Sequence, residues 1–217
     1  NAQCPLVNSL NLLFLDAPAV RNDVAAVLCA ISRHLDANYL KSVLVVVFFN
    51  IAEDPDVFSR VRIAAATLRQ LPVTRSIFAE CDGFDLLRRL VEQWGVLDDP
   101  CPAVQPHTAE RRLRLFEACA ALFALALRDS PANRRRFEES CPAAFFERLV
   151  RARLWDETDA PRRVTRALAA LVFEVQPDEL DAAPHLAVAN PHVLPALVQT
   201  ACGLPDDEQA HFLGLLA

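Results

Sequence analysis

Glycine is scarce in this chain: four occur in 217 residues. Glycine takes positive φ at little cost, so hairpin turns and phosphate-cradling loops draw on it. Its scarcity argues against a β-rich fold and against a nucleotide-binding one. Lysine is scarcer still, with Lys41 alone, so the positive charge is almost all arginine. Methionine is missing altogether, and the chain therefore reads as a processed product or a fragment of a larger protein. Long apolar runs are missing too. The most apolar stretch, Val43 to Ile51 (VLVVVFFNI), is far shorter than the ~20 residues that span a bilayer. No secretory leader pattern opens the sequence, and membrane insertion is not expected. Basic charge is not in surplus: the net charge is −6. Nucleic-acid binders neutralise phosphates with a basic surface, so no nucleic-acid partner is expected.

The remaining composition is that of a soluble globular protein, 53% hydrophobic and 23% charged. The length suits one domain or a short array of repeats. Seven cysteines are present: Cys4, Cys29, Cys81, Cys101, Cys119, Cys141 and Cys202. Their number is odd, no CxxC occurs, and several lie inside apolar runs. That pattern points to buried free thiols in a reducing compartment, and so to a cytoplasmic or nucleocytoplasmic protein.

Helical periodicity dominates. Residues 20–35 place Val20, Val24, Val27, Leu28 and Ile31 on one helical face. Residues 40–52 read as a helix apolar on all sides, hence central. The β-branched run Val43–Phe49 would also suit a buried strand, but no alternating segment elsewhere offers a partner, and helix is preferred. Further helices are expected over 57–71, 84–94, 109–128, 143–153, 162–175 and 192–202. Pro55, Pro72, Pro131, Pro142, Pro177 and Pro191 fall at their ends, where a missing donor is tolerated. Gly95 to His107 (GVLDDPCPAVQPH) lacks periodicity and reads as an exposed loop, longer than most connections.

The sequence also repeats. Pro72 falls on Pro131 at a shift of 59 positions, which carries Thr74–Glu80 onto Asn133–Glu139 and Leu90-Val91 onto Leu149-Val150. Each unit reads apolar helix, proline, polar residue plus arginine, short helix, tight turn, amphipathic helix. A weaker third copy runs from Val164 through Pro177 to the helix at 192–202. Without the Pro-rich loop the period falls to roughly 40–47 residues, the range of helical solenoid units.

These segments resemble the armadillo family. FFNIAEDP at 48–55 looks like the end of its third helix. TRSIFAECDGFDLLRRLV at 74–91 and NRRRFEESCPAAFFERLV at 133–150 look like its first and second helices. Gly83 stands where the family has its turn glycine, and Pro142 replaces it in the next copy. The resemblance implies an all-α, right-handed α-solenoid forming one armadillo-like domain over 1–217, with the 95–107 loop as an insertion. It also implies a groove in which third-helix asparagines hold an extended peptide. Asn50 matches that position, whereas the equivalent sites carry Ala126 and Val172, so most of the asparagine ladder is missing.

Candidate chemistry is sparse. There is no GxSxG, P-loop, HExxH or GxGxxG. His34, His107, His185, His192 and His211 lack metal-ligand spacing, a zinc set of His185, His192 and Cys202 ranks low, and Asp98-Asp99 reads as solvated loop. No cofactor is expected. Arginine offers more: Arg111, Arg112 and Arg114 open one long helix, and Arg162, Arg163 and Arg166 the next. In a stack of repeats the two clusters would form a stripe able to grip an acidic or phosphorylated protein segment. The run Arg134-Arg135-Arg136 reads instead as a solvated helix turn beside Glu138 and Glu139. The expected function is a non-catalytic scaffold or adaptor, with Asn50 and the six arginines as its contacts. Alternatives are a regulatory domain of a larger cytoskeletal or trafficking protein, as in formins and BEACH-type proteins, a chaperone cofactor, or a helical enzyme with an unrecognised Cys/His or Asp pair.

Overall fold

A computed structural model describes residues 9–10, 20–31, 34–48, 57–70, 73–93, 109–151, 159–182 and 186–215. Among these, the regular structure is all helical and no strand occurs. In chain order the helices are α1 (Arg21–Ile31), α2 (Ala37–Phe48), α3 (Val57–Gln70), α4 (Val73–Glu80), α5 (Gly83–Gln93), α6 (Ala109–Leu127), α7 (Pro131–Ser140), α8 (Ala143–Arg151) and α9 (Ala160–Phe173). A 3-10 turn, Pro191–Val193, leads into α10 (Leu194–Ala201), and α11 (Asp206–Gly214) follows. The all-α expectation holds, and the ambiguous apolar run is helix through Phe48. Asn50 and the 95–107 loop lie outside the described residues.

Caps and prolines set the boundaries. Asp36 Oδ1 accepts the backbone N–H groups of Asn38 and Tyr39 at 2.9 and 3.1 Å, which starts α2. Pro131 is the first residue of α7 and Pro161 the second of α9, positions where the missing donor is harmless. Where many helices end on glycine, this glycine-poor chain uses acids. Asp82, Asp129 and Glu174 adopt φ of 56°, 57° and 54° just after α4, α6 and α9.

The two N-terminal helices are less buried than their sequence suggests. Val24 and Leu28 of α1 are buried, but Val20 and Val27 are exposed. In α2, Leu40, Val43 and Leu44 face the core while Val45 is 48% exposed, so this helix is not buried on all sides. Its described neighbours α3 and α4 cover one flank.

The three long helices α3, α6 and α9 lie side by side in that order, with α6 between the other two. α4 and α7 contact each other, α5 rests on α6 and α7, α8 meets α10, and α11 meets α9 and α10. The core is widest along α6, where Leu113, Leu115, Phe116, Cys119, Ala120 and everything from Leu122 to Leu127 are buried. A chain of rings links successive elements: Phe78–Phe84 at 5.2 Å, Phe84–Phe137 at 5.5 Å, Phe137–Phe146 at 5.9 Å and Phe137–His192 at 5.3 Å. Such pairs add attraction beyond the area they bury.

The 59-residue shift recurs in individual hydrogen bonds. Thr74 Oγ1 donates to the carbonyl of Thr67 near the end of α3 at 3.1 Å. Asn133 Nδ2, at the shifted position, donates to the carbonyl of Ala126 near the end of α6 at 2.8 Å. Each satisfies a carbonyl that the terminating helix leaves over. The third copy departs from this plan. Residues 177–182 form turns where the counterpart of α7 would fall, and Asn190 Nδ2 takes over the capping by donating to the carbonyl of Leu171 at 2.8 Å.

Candidate functional site

The starts of α6 and α9 come together, as the two arginine clusters suggest. Arg163 ties them together. Its Nη1 meets Glu110 Oε2 at 2.6 Å, while Nε and Nη2 grip both carboxylate oxygens of Glu117 at 2.8 and 2.6 Å. One planar fork thus clamps two carboxylates of the neighbouring helix, a geometry suited to guanidinium. The hydrogen bonds that Arg163 donates to Glu117 and Glu110 push its pKa up. In return Arg163, with Arg114, holds the Glu110 carboxyl down to about 2.

The other five arginines of the stripe divide. Arg114 is largely exposed and pairs with Glu110 one turn earlier. Arg111 is exposed and Arg112 half-buried. With Phe58 from the first turn of α3, Arg111, Arg114 and Glu110 line a cavity of about 370 Å³. On α9, Arg166 Nε donates to the carbonyl of Pro177 at 2.9 Å and Nη2 meets Asp181 Oδ2 at 2.5 Å. That contact holds the Asp181 pKa below the ordinary carboxylate value. Arg162 lies 3.6 Å from Glu208 of α11. A second cavity of about 340 Å³ opens between Arg162, Arg166, Asp181, Glu208, His211 and Phe212.

The triple arginine is not uniformly solvated. Arg135 and Arg136 are exposed, but Arg134 forms a two-pronged pair with Glu174 at 2.5 and 2.6 Å. The carboxylate raises the Arg134 pKa. Arg75 occupies the equivalent position one unit earlier. It donates to the carbonyl of Arg128 at 2.5 Å and lies 3.6 Å from Asp129. In both units the arginine after the proline reaches the left-handed residue that ends the next long helix. The signal was in the sequence as Arg75 falling on Arg134, but the acid it serves was not.

The positions counted as equivalents of Asn50, Ala126 and Val172, are fully buried, so neither faces an open groove. Among the described residues, no group of three or more His, Cys, Asp or Glu side chains is spaced to hold a metal ion. His192 packs edge-on against Phe137 and Phe146, and burial lowers its pKa. His185 lies outside the described residues. Burial drives the Cys119 and Cys141 thiols far above their ordinary range, which leaves them protonated and poor nucleophiles. Among the described residues no helix is long and apolar enough to cross a membrane. Comparison with protein-family models, curated proteins and solved structures yields no match.

Proposed function

We propose that the chain is a non-catalytic, armadillo-like α-solenoid scaffold whose arginine-bearing edge docks an acidic or phosphorylated protein segment. The reading is supported by the adjacency of α3, α6 and α9, by the equivalent caps of Thr74 and Asn133, and by the equivalent ties of Arg75 and Arg134 to the following unit. Units joined mainly to their neighbours build an elongated stack with a long lateral surface. The observation that carries the functional part is the shared edge formed by the starts of α6 and α9. Near these two helix starts Arg114 and Arg162 are 67% and 62% exposed. The positive ends of parallel helix dipoles add to the same side. Phe58 supplies an apolar contact beside the arginines. The net charge of −6 argues against nucleic acid as the partner. Free Cys81, Cys119, Cys141 and Cys202 fit a reducing cytoplasmic or nucleocytoplasmic setting.

Charge reversal at this edge tests the reading. Arg163 is unsuitable because it clamps α6 to α9. Arg111→Glu with Arg162→Glu is the better pair. Fluorescence anisotropy with a labelled glutamate-rich peptide, and with its phosphoserine counterpart, should show affinity falling at least about tenfold, since a lost charge-assisted hydrogen bond costs about 1.5–3 kcal/mol. Equal affinity for wild type and the double variant would remove the arginine edge as the site.

A further inference from the structure

The arginine–carboxylate pairs are of two kinds. Arg134–Glu174 and Arg163–Glu117 are two-pronged and join successive helical units. Arg166–Asp181 and Arg162–Glu208 use one nitrogen each, at 2.5 and 3.6 Å, and leave Asp181 54% and Arg162 62% exposed. Asp181 comes from the turns after α9, and Glu208 from the first turn of α11. Between them opens the cavity of about 340 Å³, bounded also by Asp207, His211 and Phe212. His211 Nε2 lies 3.4 Å from Asp181 Oδ1. Three carboxylates therefore stand opposite two guanidinia around a space large enough for another side chain.

We propose that Asp181 and Glu208 are the chain's own stand-ins for a partner's acidic segment, so that the α9 half of the arginine edge is self-occupied and opens when those two side chains swing away. This rests on the acidic-segment reading and adds its regulation. Arg166 also donates to the carbonyl of Pro177 and Asp181 also faces His211, but each pair is partly exposed and engages its carboxylate through one arginine nitrogen, and pairs of that kind are worth little each and exchange with other carboxylates. The two-pronged pairs do not, because their partners are fixed between packed helices. Asp181, Asp207 and Glu208 also repel an incoming acidic chain. They set a threshold that only a segment with two or more carboxylates, or a phosphate, overcomes by taking both Arg162 and Arg166.

The test uses the full chain and the same labelled glutamate-rich peptide. Asp181→Asn with Glu208→Gln should bind about three- to tenfold tighter than wild type, the factor two exposed ion pairs are worth together. If wild type binds and the double variant binds no tighter, self-occupation is overturned while the acidic-segment reading stands. If neither binds, both fall. A measurement on wild type alone guards against misfolding of the variant. Saturating peptide should accelerate amide hydrogen exchange across 177–182 and 206–214, and unchanged exchange there would count against displacement.

Discussion

Glu174 carries a carboxylate whose side chain is 5% exposed, at the residue that ends α9. Removing the partner of a buried charge costs about 3–5 kcal/mol. Arg134 itself is 38% exposed, so water partly replaces it, and the low end applies. Arg134→Met should destabilise by about 3 kcal/mol and lower Tm by roughly 6–12 °C in a calorimetric scan. Arg135→Met, on the wet side of the same turn, should stay within about 0.5 kcal/mol of wild type. His192 gives a pH signature. Burial against Phe137 and Phe146 lowers its pKa below the ordinary 6.5, with Glu138 acting weakly the other way. A depressed value means the folded state prefers the neutral ring. The stabilisation is therefore complete above 6.5 and is lost as pH falls through the folded-state pKa. Urea midpoints measured as pH falls across that range should drop for wild type and drop less for His192→Phe, which keeps an aromatic ring there without a titrating group.

Gly83 opens α5, and its conformation is not the reason glycine stands there, since the left-handed residue is Asp82 next to it. The reason is space. A Cβ on Gly83 would lie 2.5 Å from the Phe78 ring, and that ring is fully buried and set edge-on to Phe84 at 5.2 Å. Gly83→Ala must displace the ring and should cost about 1–3 kcal/mol. At Gly214 a Cβ would meet nothing within 4 Å, so Gly214→Ala should leave the denaturation midpoint unchanged or slightly raised. Equal losses from both substitutions would sink this account of the α4–α5 corner.

For the molecule as a whole, Arg163 adds an ionic tie between the α6 and α9 units to their apolar packing. On the proposed solenoid reading, stability is close to a sum of unit and interface contributions. Weakening one interface lets the far end open first. Arg163→Ala should therefore raise amide exchange across 159–215 well before 57–93, with an unfolding transition broader than that of wild type. Arg163→Lys should rescue little, because an ammonium cannot span Glu110 and Glu117 as a fork does. Uniform loss of protection along the chain would indicate one cooperative unit instead.

What the sequence determined alone is local in origin. Apolar periodicity and proline positions located the helices up to residue 202 and most of their ends, but not α11 (Asp206–Gly214). The 59-residue shift located Thr74 and Asn133, Phe78 and Phe137, and Arg75 and Arg134 as equivalents, because capping and the inward contact of a short helix depend on close neighbours in the chain. Only the tertiary structure decided which charges are spent. Arg163 meets Glu117 across 46 positions and Arg134 meets Glu174 across 40, separations at which no spacing rule operates. The exposure of Val27 and Val45 and the burial of Ala126 and Val172 were decided in the same way. Burial and pairing belong to the surfaces that meet, and which surfaces meet is settled by packing rather than by either strand of sequence taken alone.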